Sequence, residues 1–352
     1  MTTAVYVIVA ILIFGFLIMI HEFGHYTVAR LCGVHIDEFS IGMGPKLYQK
    51  KTKKQGTLFS VRALPIGGYV SMKGENAEDD DPDSFSSKKV WQRISIVVAG
   101  ALMNLILGFL IVFVIVCSSG THASTQIHHF TENATSCTAE GLEVGDTVIK
   151  VGNVRVHTGD ELNYEILNQG NKPVSVTVKR DGQRLVLQDV TFPNFEESGS
   201  VFGQMDFYVY ALESPNFFQL VSMTWHRSVS LVKMVWDSIY NLFSGRYSVS
   251  AISSPIGVTA AVKDVIANSG WSGAEIVQYV LQITALITMN LGVFNLIPFP
   301  ALDGGRLAFL VFEGITRKRI SEEIEGKIHF IGILLLMALM LFVVGKDIIA
   351  LF

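Results

Sequence analysis

The sequence predicts a polytopic α-helical membrane protein with four transmembrane helices, short β-structure in one connection and a compact α+β domain in another. Three observations carry that class. Half of the 352 residues are hydrophobic and only 16% are charged, with a positive mean hydropathy of +0.42, a balance that suits lipid better than water. Four apolar stretches reach the roughly twenty residues needed to cross a bilayer. Between the second and third stretches the pattern changes to alternating, strand-like runs cut by Gly, Asn and Asp turns.

The four stretches are Thr3–Cys32, Ile94–Cys117, Ile276–Ile297 and Ile328–Val344, the last extending toward Phe352. The start does not read as a cleaved signal peptide, because no basic residue precedes Arg30 and the apolar run is too long. Lys46, Lys50, Lys51, Lys53, Lys54, Arg62, Lys73, Lys88, Lys89 and Arg93 crowd the first connection. Arg306, Arg317, Lys318, Arg319 and Lys327 crowd the last, whereas no Lys or Arg occurs from Ser118 to Ile149. The positive-inside rule places both basic connections in the cytoplasm and both termini outside. The net charge of −4 gives no support for a nucleic-acid partner. Cys32, Cys117 and Cys137 are odd in number and widely spaced, so neither a disulfide framework nor a cysteine metal site is expected.

In the first connection, Ser40-Ile41-Gly42-Met43-Gly44-Pro45 is a Gly/Pro-punctuated turn. Leu58 to Leu64 and Tyr69 to Met72 are β-prone runs separated by Pro65-Ile66-Gly67-Gly68, which predicts a hairpin. A hairpin edge can accept an extended peptide by strand addition, or the element can simply pack. Glu75 to Asp83 is an acidic, solvated loop. From Ile127 to Phe192, strands at Thr147–Val151, Val174–Lys179 and Arg184–Leu187 and a helix at Gly159–Leu167 form the α+β domain. Apolar residues then recur at helical spacing from Phe218 to Phe243, predicting an amphipathic helix, and Ser254-Pro255-Ile256-Gly257 starts a second one. The expected parts are an N-terminal membrane part (1–118), the α+β domain (119–200), amphipathic helices (201–274) and a C-terminal membrane part (275–352).

The chemistry concentrates in His21-Glu22-Phe23-Gly24-His25, which follows about eighteen mostly apolar residues without a break. On a helix the two imidazoles share a face, roughly 6 Å apart along the axis. That spacing lets them grip one zinc ion while Glu22 serves as general base toward a metal-activated water. Each ionisable residue in a hydrophobic span costs at least ~2.5 kcal/mol, so three within five residues are hard to explain as packing. Catalytic zinc usually takes a third protein ligand. His122, His128 and His129 fall outside, and His35 and His329 read as interfacial. Pro298 and Pro300 break the third span, and irregular backbone at that depth is tolerated only against protein or a wet cavity. Asp303 then falls at the inner end of that span, at the depth of His21 and His25. Asn295 can donate a hydrogen bond to a substrate carbonyl, or serve as a helix-packing amide.

His21-Glu22-x-x-His25 followed by Asn295-x-x-Pro298-x-Pro300-x-Leu302-Asp303-Gly304 resembles the motif pair of the site-2 protease family, the bacterial zinc metalloproteases of regulated intramembrane proteolysis. The likeness runs almost end to end. Gly141-Leu142-Glu143-Val144-Gly145-Asp146, followed by Val148-Ile149 and Gly152-Asn153-Val154, resembles the bacterial PDZ pattern, which makes the α+β domain a single extracytoplasmic PDZ-like domain. Such a domain either binds peptide ends or blocks access sterically. Met43 stands where the family commonly has Phe. The resemblance implies that the hairpin is membrane-reentrant and holds substrate as an added strand over residues 57–73, with Val61, Gly67, Gly68, Tyr69, Asn295 and Pro298 as substrate-binding residues. It further implies a bacterial cytoplasmic membrane, an active site near the cytoplasmic face, and single-pass substrates already trimmed outside, such as anti-sigma factors or remnant signal peptides.

The mechanism expected is peptide-bond hydrolysis within the bilayer. His21, His25 and Asp303 hold Zn2+, Glu22 is the base, and zinc with Asn295 stabilises the oxyanion. Two alternatives compete. A non-catalytic PDZ receptor or chaperone with a structural metal leaves Glu22 without a task. A zinc transporter calls for polar residues spread along several spans, whereas here they cluster at one depth.

Overall fold

Apolar length dominates the helical pattern. The structure, a computed structural model, describes residues 3–52, 56–75, 79–138, 140–197, 199–213, 215–246 and 255–350. Lys53, Lys54, Ser254 and positions 76–78 of the acidic run lie outside the described residues. In chain order the helices are α1 (Thr3–Leu31), α2 (Val90–Ser118), α3 (Gly159–Gln169), α4 (Phe217–Phe243), α5 (Pro255–Ser269), α6 (Gly273–Leu296), α7 (Asp303–Thr316) and α8 (Glu322–Ala350). α1, α2, α6 and α8 are long and apolar enough to cross a membrane, and they coincide with the four predicted stretches. They expose large apolar side chains such as Ile8, Leu12, Leu102, Leu110, Leu334 and Phe342, which in water would be untenable and in lipid need no partner. α6 starts at a capping box, Ser272 with Glu275, and stops at Leu296 ahead of Pro298.

The chain divides into two units, Met1–Gly108 with Ser253–Phe352, and Phe109–Ile252. In the first unit, α7 was not anticipated. It is short and amphipathic, and its opening Asp303-Gly304-Gly305 reads in sequence as the end of a span rather than as a helix start. A Cβ on Gly304 would stand 2.0 Å from the Ile297 carbonyl oxygen, so only glycine lets the loop from Ile297 to Leu302 fold back over the first turn of α7.

The first connection also differs from expectation. β1 (Ile36–Lys51) and β2 (Leu58–Met72) are two long bent strands rather than a turn and a hairpin. Leu58–Leu64 and Tyr69–Met72 do not pair with one another. The stretch around Ile36–Ile41 pairs on one side with Gly68–Met72 and on the other with Leu58–Val61, and Tyr48–Lys51 pairs with Leu58–Val61 as well. Gly42, Gly44 and Gly67, all at positive φ, bend the strands where turns were expected. Tyr26, Ala29, Phe39, Val70, Ile96, Val97 and Leu310 bury the sheet against the ends of α1, α2 and α7.

In the second unit, β3 (Thr121–Phe130), β4 (Thr147–Val151), β5 (Val154–Arg155), β6 (Val174–Arg180) and β7 (Gln183–Val190) precede a separate pair, β8 (Asn194–Glu197) with β9 (Ser200–Gly203), and β10 (Phe207–Glu213). The main sheet has the order β10-β3-β4-β6-β7, with β5 on β4. Ile127, Leu142, Val148, Leu162, Ile166, Val178 and Phe207 fill its core beneath α3. The domain therefore does not end at residue 200 as expected, because β10 returns to pair with β3. Its Phe207-Tyr208-Val209-Tyr210 run finds its partner some eighty residues earlier (roughly), which no local pattern reveals.

Candidate metal centre

α1 runs on past its lipid-length segment, and its last third carries His21, Glu22 and His25 into the first unit's interior. Helical spacing puts the two imidazoles on one face, with Nε2 atoms 3.1 Å apart. The loop after α6 delivers Asp303 to the same point. Its Oδ2 lies 2.9 Å from His21 Nε2 and 3.2 Å from His25 Nε2. His21 and His25 on α1 and the far-removed Asp303 thus converge on one point.

Their approach is possible because α2 presents Gly100 to the rings. A Cβ there would stand 2.3 Å from His25 Nε2 and 2.8 Å from His21 Cε1. On α1, Gly24 does the same for the backbone of Ala99, 2.4 Å from where its Cβ would be. This small-residue contact brings the helix axes close, as membrane helices allow.

The donor chemistry fits zinc. His25 Nδ1 lies 2.8 Å from the Ile96 carbonyl oxygen, so Nδ1 carries the proton and the neutral ring aims its Nε2 lone pair at the centre. Asp303 Oδ2 is buried without a hydrogen-bond partner among the described residues, although two ring nitrogens adjoin it. Lone pairs and an anionic oxygen converging this closely repel one another unless a cation sits among them. Their edges of 2.9, 3.1 and 3.2 Å approach the ~3.3 Å edge of a tetrahedral zinc site. His21, His25 and Asp303 are the residues that could hold it.

Two amides flank His21. Asn295 Nδ2, in the last turn of α6, is 3.4 Å from His21 Nδ1, and Asn104 Nδ2 on α2 is 3.3 Å from the same atom. Asn104 was missed in the sequence, although a lone amide in the otherwise apolar Ile94–Cys117 run is a usable signal. It is fully buried, its backbone carbonyl accepts from Thr288 Oγ1 at 3.1 Å, and its Oδ1 has no hydrogen-bond partner among the described residues. A half-turn of the amide, which exchanges Oδ1 and Nδ2, would set Oδ1 onto His21 Nδ1–H and leave Nε2 free for a metal.

The other predicted site residues separate into two groups. Glu22 Oε2 accepts a hydrogen bond from the Val70 N–H at 3.2 Å, which puts the outer edge of Gly68–Met72 beside it. Gly67 and Gly68 lie against α1, near Ile18 and Glu22, and Pro298 lies in the loop before Asp303. Val61, by contrast, pairs with both Ile41 and Tyr48. Its backbone has no open edge, so it is not positioned to accept an added strand. The Tyr69 hydroxyl turns to the Arg62 guanidinium at 2.5 Å. His329, read as interfacial, accepts from the Ala301 N–H at 3.0 Å and so holds the loop.

A cavity of about 420 Å³ reaches Asp303 and is lined by Glu75, Arg93, Arg306 and Glu313. Arg93 pairs with Glu313 at 2.5 Å and Arg306 with Glu75 at 2.6 Å, tying α7 to α2 and to the end of β2. Charged side chains lining a cavity favour water there, which any hydrolysis needs.

Two imidazoles and an adjacent glutamate on a membrane-length helix, with a carboxylate at the start of α7, are a group that could hold a metal ion. The sequence profile of peptidase family M50 matches residues 9–339, and the chain belongs to that family. Its relatives include a protein of Clostridium acetobutylicum named as a zinc metalloprotease, 34% identical with 97% of each chain covered. The zinc metalloprotease RasP of Shouchella clausii is 30% identical over 97% of this chain and 98% of its own. The regulator of sigma-W protease RasP of Bacillus subtilis is 28% identical over 98% and 99%. The protein is a zinc metalloprotease, and the non-catalytic receptor and transporter alternatives fall with that.

Proposed function

We propose that this protease cuts single-pass membrane proteins within or beside their transmembrane segment, with His21, His25 and Asp303 as the zinc ligands and Glu22 as general base. The observation that supports this most is the convergence of those ligands on helices that are otherwise clothed in lipid-facing side chains. Bound there, zinc supplies Lewis acidity to water and to a scissile carbonyl. Glu22 takes the proton of the attacking water and returns it to the leaving amine. Asn295 donates an amide N–H to the substrate carbonyl as negative charge builds on its oxygen. A transmembrane helix hides its carbonyls in i to i−4 bonds, so the cleaved stretch must unwind. The outer edge of Gly68–Met72 then provides the backbone partners that lipid withholds, as a reentrant sheet.

In this reading the chain sits in the bacterial plasma membrane with both basic connections inside, and the 119–213 domain is PDZ-like and external. Its substrates are those the site-2 resemblance implies, namely pre-trimmed single-pass proteins such as anti-sigma factors, or remnant signal peptides. The test is to incubate the purified full chain in liposomes with a single-pass substrate and map the new termini by mass spectrometry. Termini inside the apolar segment, abolished by chelation and restored by zinc, are expected. Termini confined to the soluble flanks overturn the reading.

A further inference from the structure

A second group of metal-type donors lies in the other unit, unused by the chemistry above. Thr158 caps α3 by accepting from the Glu161 N–H at 3.2 Å. The Glu161 carboxylate bends back so that Oε2 accepts from the His157 N–H at 2.6 Å and faces His157 Nδ1 at 3.1 Å. This fixes a buried carboxylate at the helix start. From α4, His226 brings its Nδ1 to 3.9 Å from Glu161 Oε1. The rings of His157 and His226 stack, with centroids 3.9 Å apart and planes 19° from parallel.

The neighbouring rungs of the α3–α4 contact are built differently. Asp160 meets Arg227 at 3.5 Å, Glu165 meets Lys233 at 2.7 Å, and Tyr164 donates to Asp237 at 3.0 Å. Each is an ordinary acid–base or hydrogen-bonded pair. Among the described residues of this α3–α4 contact, two imidazoles address one carboxylate at Glu161 alone, and one ligand atom from each of the three residues lies within 4.8 Å of the others.

We propose that His157, Glu161 and His226 form a second zinc site, which pins α4 to the start of α3. Two nitrogens and one oxygen are a zinc donor set, whereas Ca2+ and Mg2+ call for oxygen cages. No ligand-atom edge exceeds 4.8 Å, so reaching tetrahedral spacing takes at most about 1.5 Å, within the reach of side-chain rotation. The His157 side chain is 44% exposed, which leaves a coordination position to water. The metal's role is mechanical, because a bridge between two helices constrains both at once.

The test uses the full chain in detergent, purified on a tag without histidine and equilibrated with zinc before metal analysis. Two zinc ions per chain are expected for the unaltered protein and one for His226→Gln. One is also expected for the paired His21→Ala and His25→Ala variant, which isolates this site from the catalytic one. Zinc should slow amide exchange in the first turn of α3 and the middle of α4, and His226→Gln should abolish that slowing. If His226→Gln does not fold, His157→Ala, at an exposed side chain, gives the same readout. A single zinc in the unaltered protein, or none in the paired variant, overturns the proposal. The paired variant keeps this outcome distinct from a failure of the catalytic assignment.

Discussion

The Val70 N–H points at the Glu22 carboxylate, 3.2 Å from Oε2. An outer-edge donor that would otherwise await a partner strand is therefore satisfied by the glutamate of the zinc motif. In the proposed function, an extended substrate that adds to Gly68–Met72 would compete for this N–H and so release Glu22 toward the metal. Docking and activation of the base would then be coupled through one hydrogen bond.

Replacing the base is the most direct check. Glu22→Gln keeps the side chain's size and its acceptor oxygen for Val70 but removes proton affinity. Cleavage should fall by at least about 10²-fold while bound zinc stays at the unaltered level. Retained turnover rejects Glu22 as the base.

The edge itself can be displaced without touching the ligands. A Cβ on Gly68 would stand 2.6 Å from the Ser40 carbonyl oxygen and must push Gly68–Met72 away from β1. Gly68→Ala should lower cleavage of a transmembrane substrate by about tenfold or more, since misplacing a substrate-positioning group by ~1 Å costs up to 10² in rate. Zinc content should not change. Unaltered kinetics remove this edge from the substrate path.

Acid should loosen the same sheet. Burial pushes the Glu38 carboxyl up, but hydrogen bonds from Ser60, Tyr69, Arg62 and Lys46 outweigh it and hold the pKa at about 2. A lowered carboxylate stabilises the fold fully above its ordinary range. That contribution is lost as pH falls from about 5 toward about 2. Amide exchange in β1 and β2 should therefore quicken over that window, and Glu38→Gln should flatten the response. An unchanged pH profile in the variant refutes the link.

Much of this site was legible because two patterns are local. Helical spacing fixes His21 against His25, and Pro298 and Pro300 force the third span to end just where Asp303 is needed. What was hidden depends on neighbours distant in sequence. The turn-like residues at Gly42, Gly44 and Gly67 bend continuous strands because β1 pairs on both sides, a register no short window discloses. Val61 looks like an edge residue until its second partner is known. α7 is masked by the glycines that start it, and β10 by the sequence distance to β3. Gly100 and Asn104 lay in plain view in an apolar run, but their meaning comes only from the rings they face.

Gly100 gives a steric prediction. Any side chain there meets His25 Nε2 at 2.3 Å, and His25 is already anchored through Nδ1 to Ile96. Gly100→Ala should abolish zinc binding at His21, His25 and Asp303 without unfolding α2, since alanine is the better helix former. Zinc bound at the unaltered level would show that the helices can separate at no cost to the ligands.

Asn104 separates donor from acceptor roles at His21. If its amide oxygen accepts the Nδ1 proton, Asn104→Ala leaves the ring free to take the wrong tautomer, and zinc affinity should drop about 10- to 100-fold. Asn104→Asp supplies an acceptor-only group at the same place, so it should hold the ring and keep zinc. Were the amide N–H the active partner, the aspartate would bind metal no better than alanine, because it has no hydrogen to offer. Competition for zinc against a chelator, run on both variants, reads the difference directly. Unaltered zinc affinity in both variants would return Asn104 to a packing role beside Thr288.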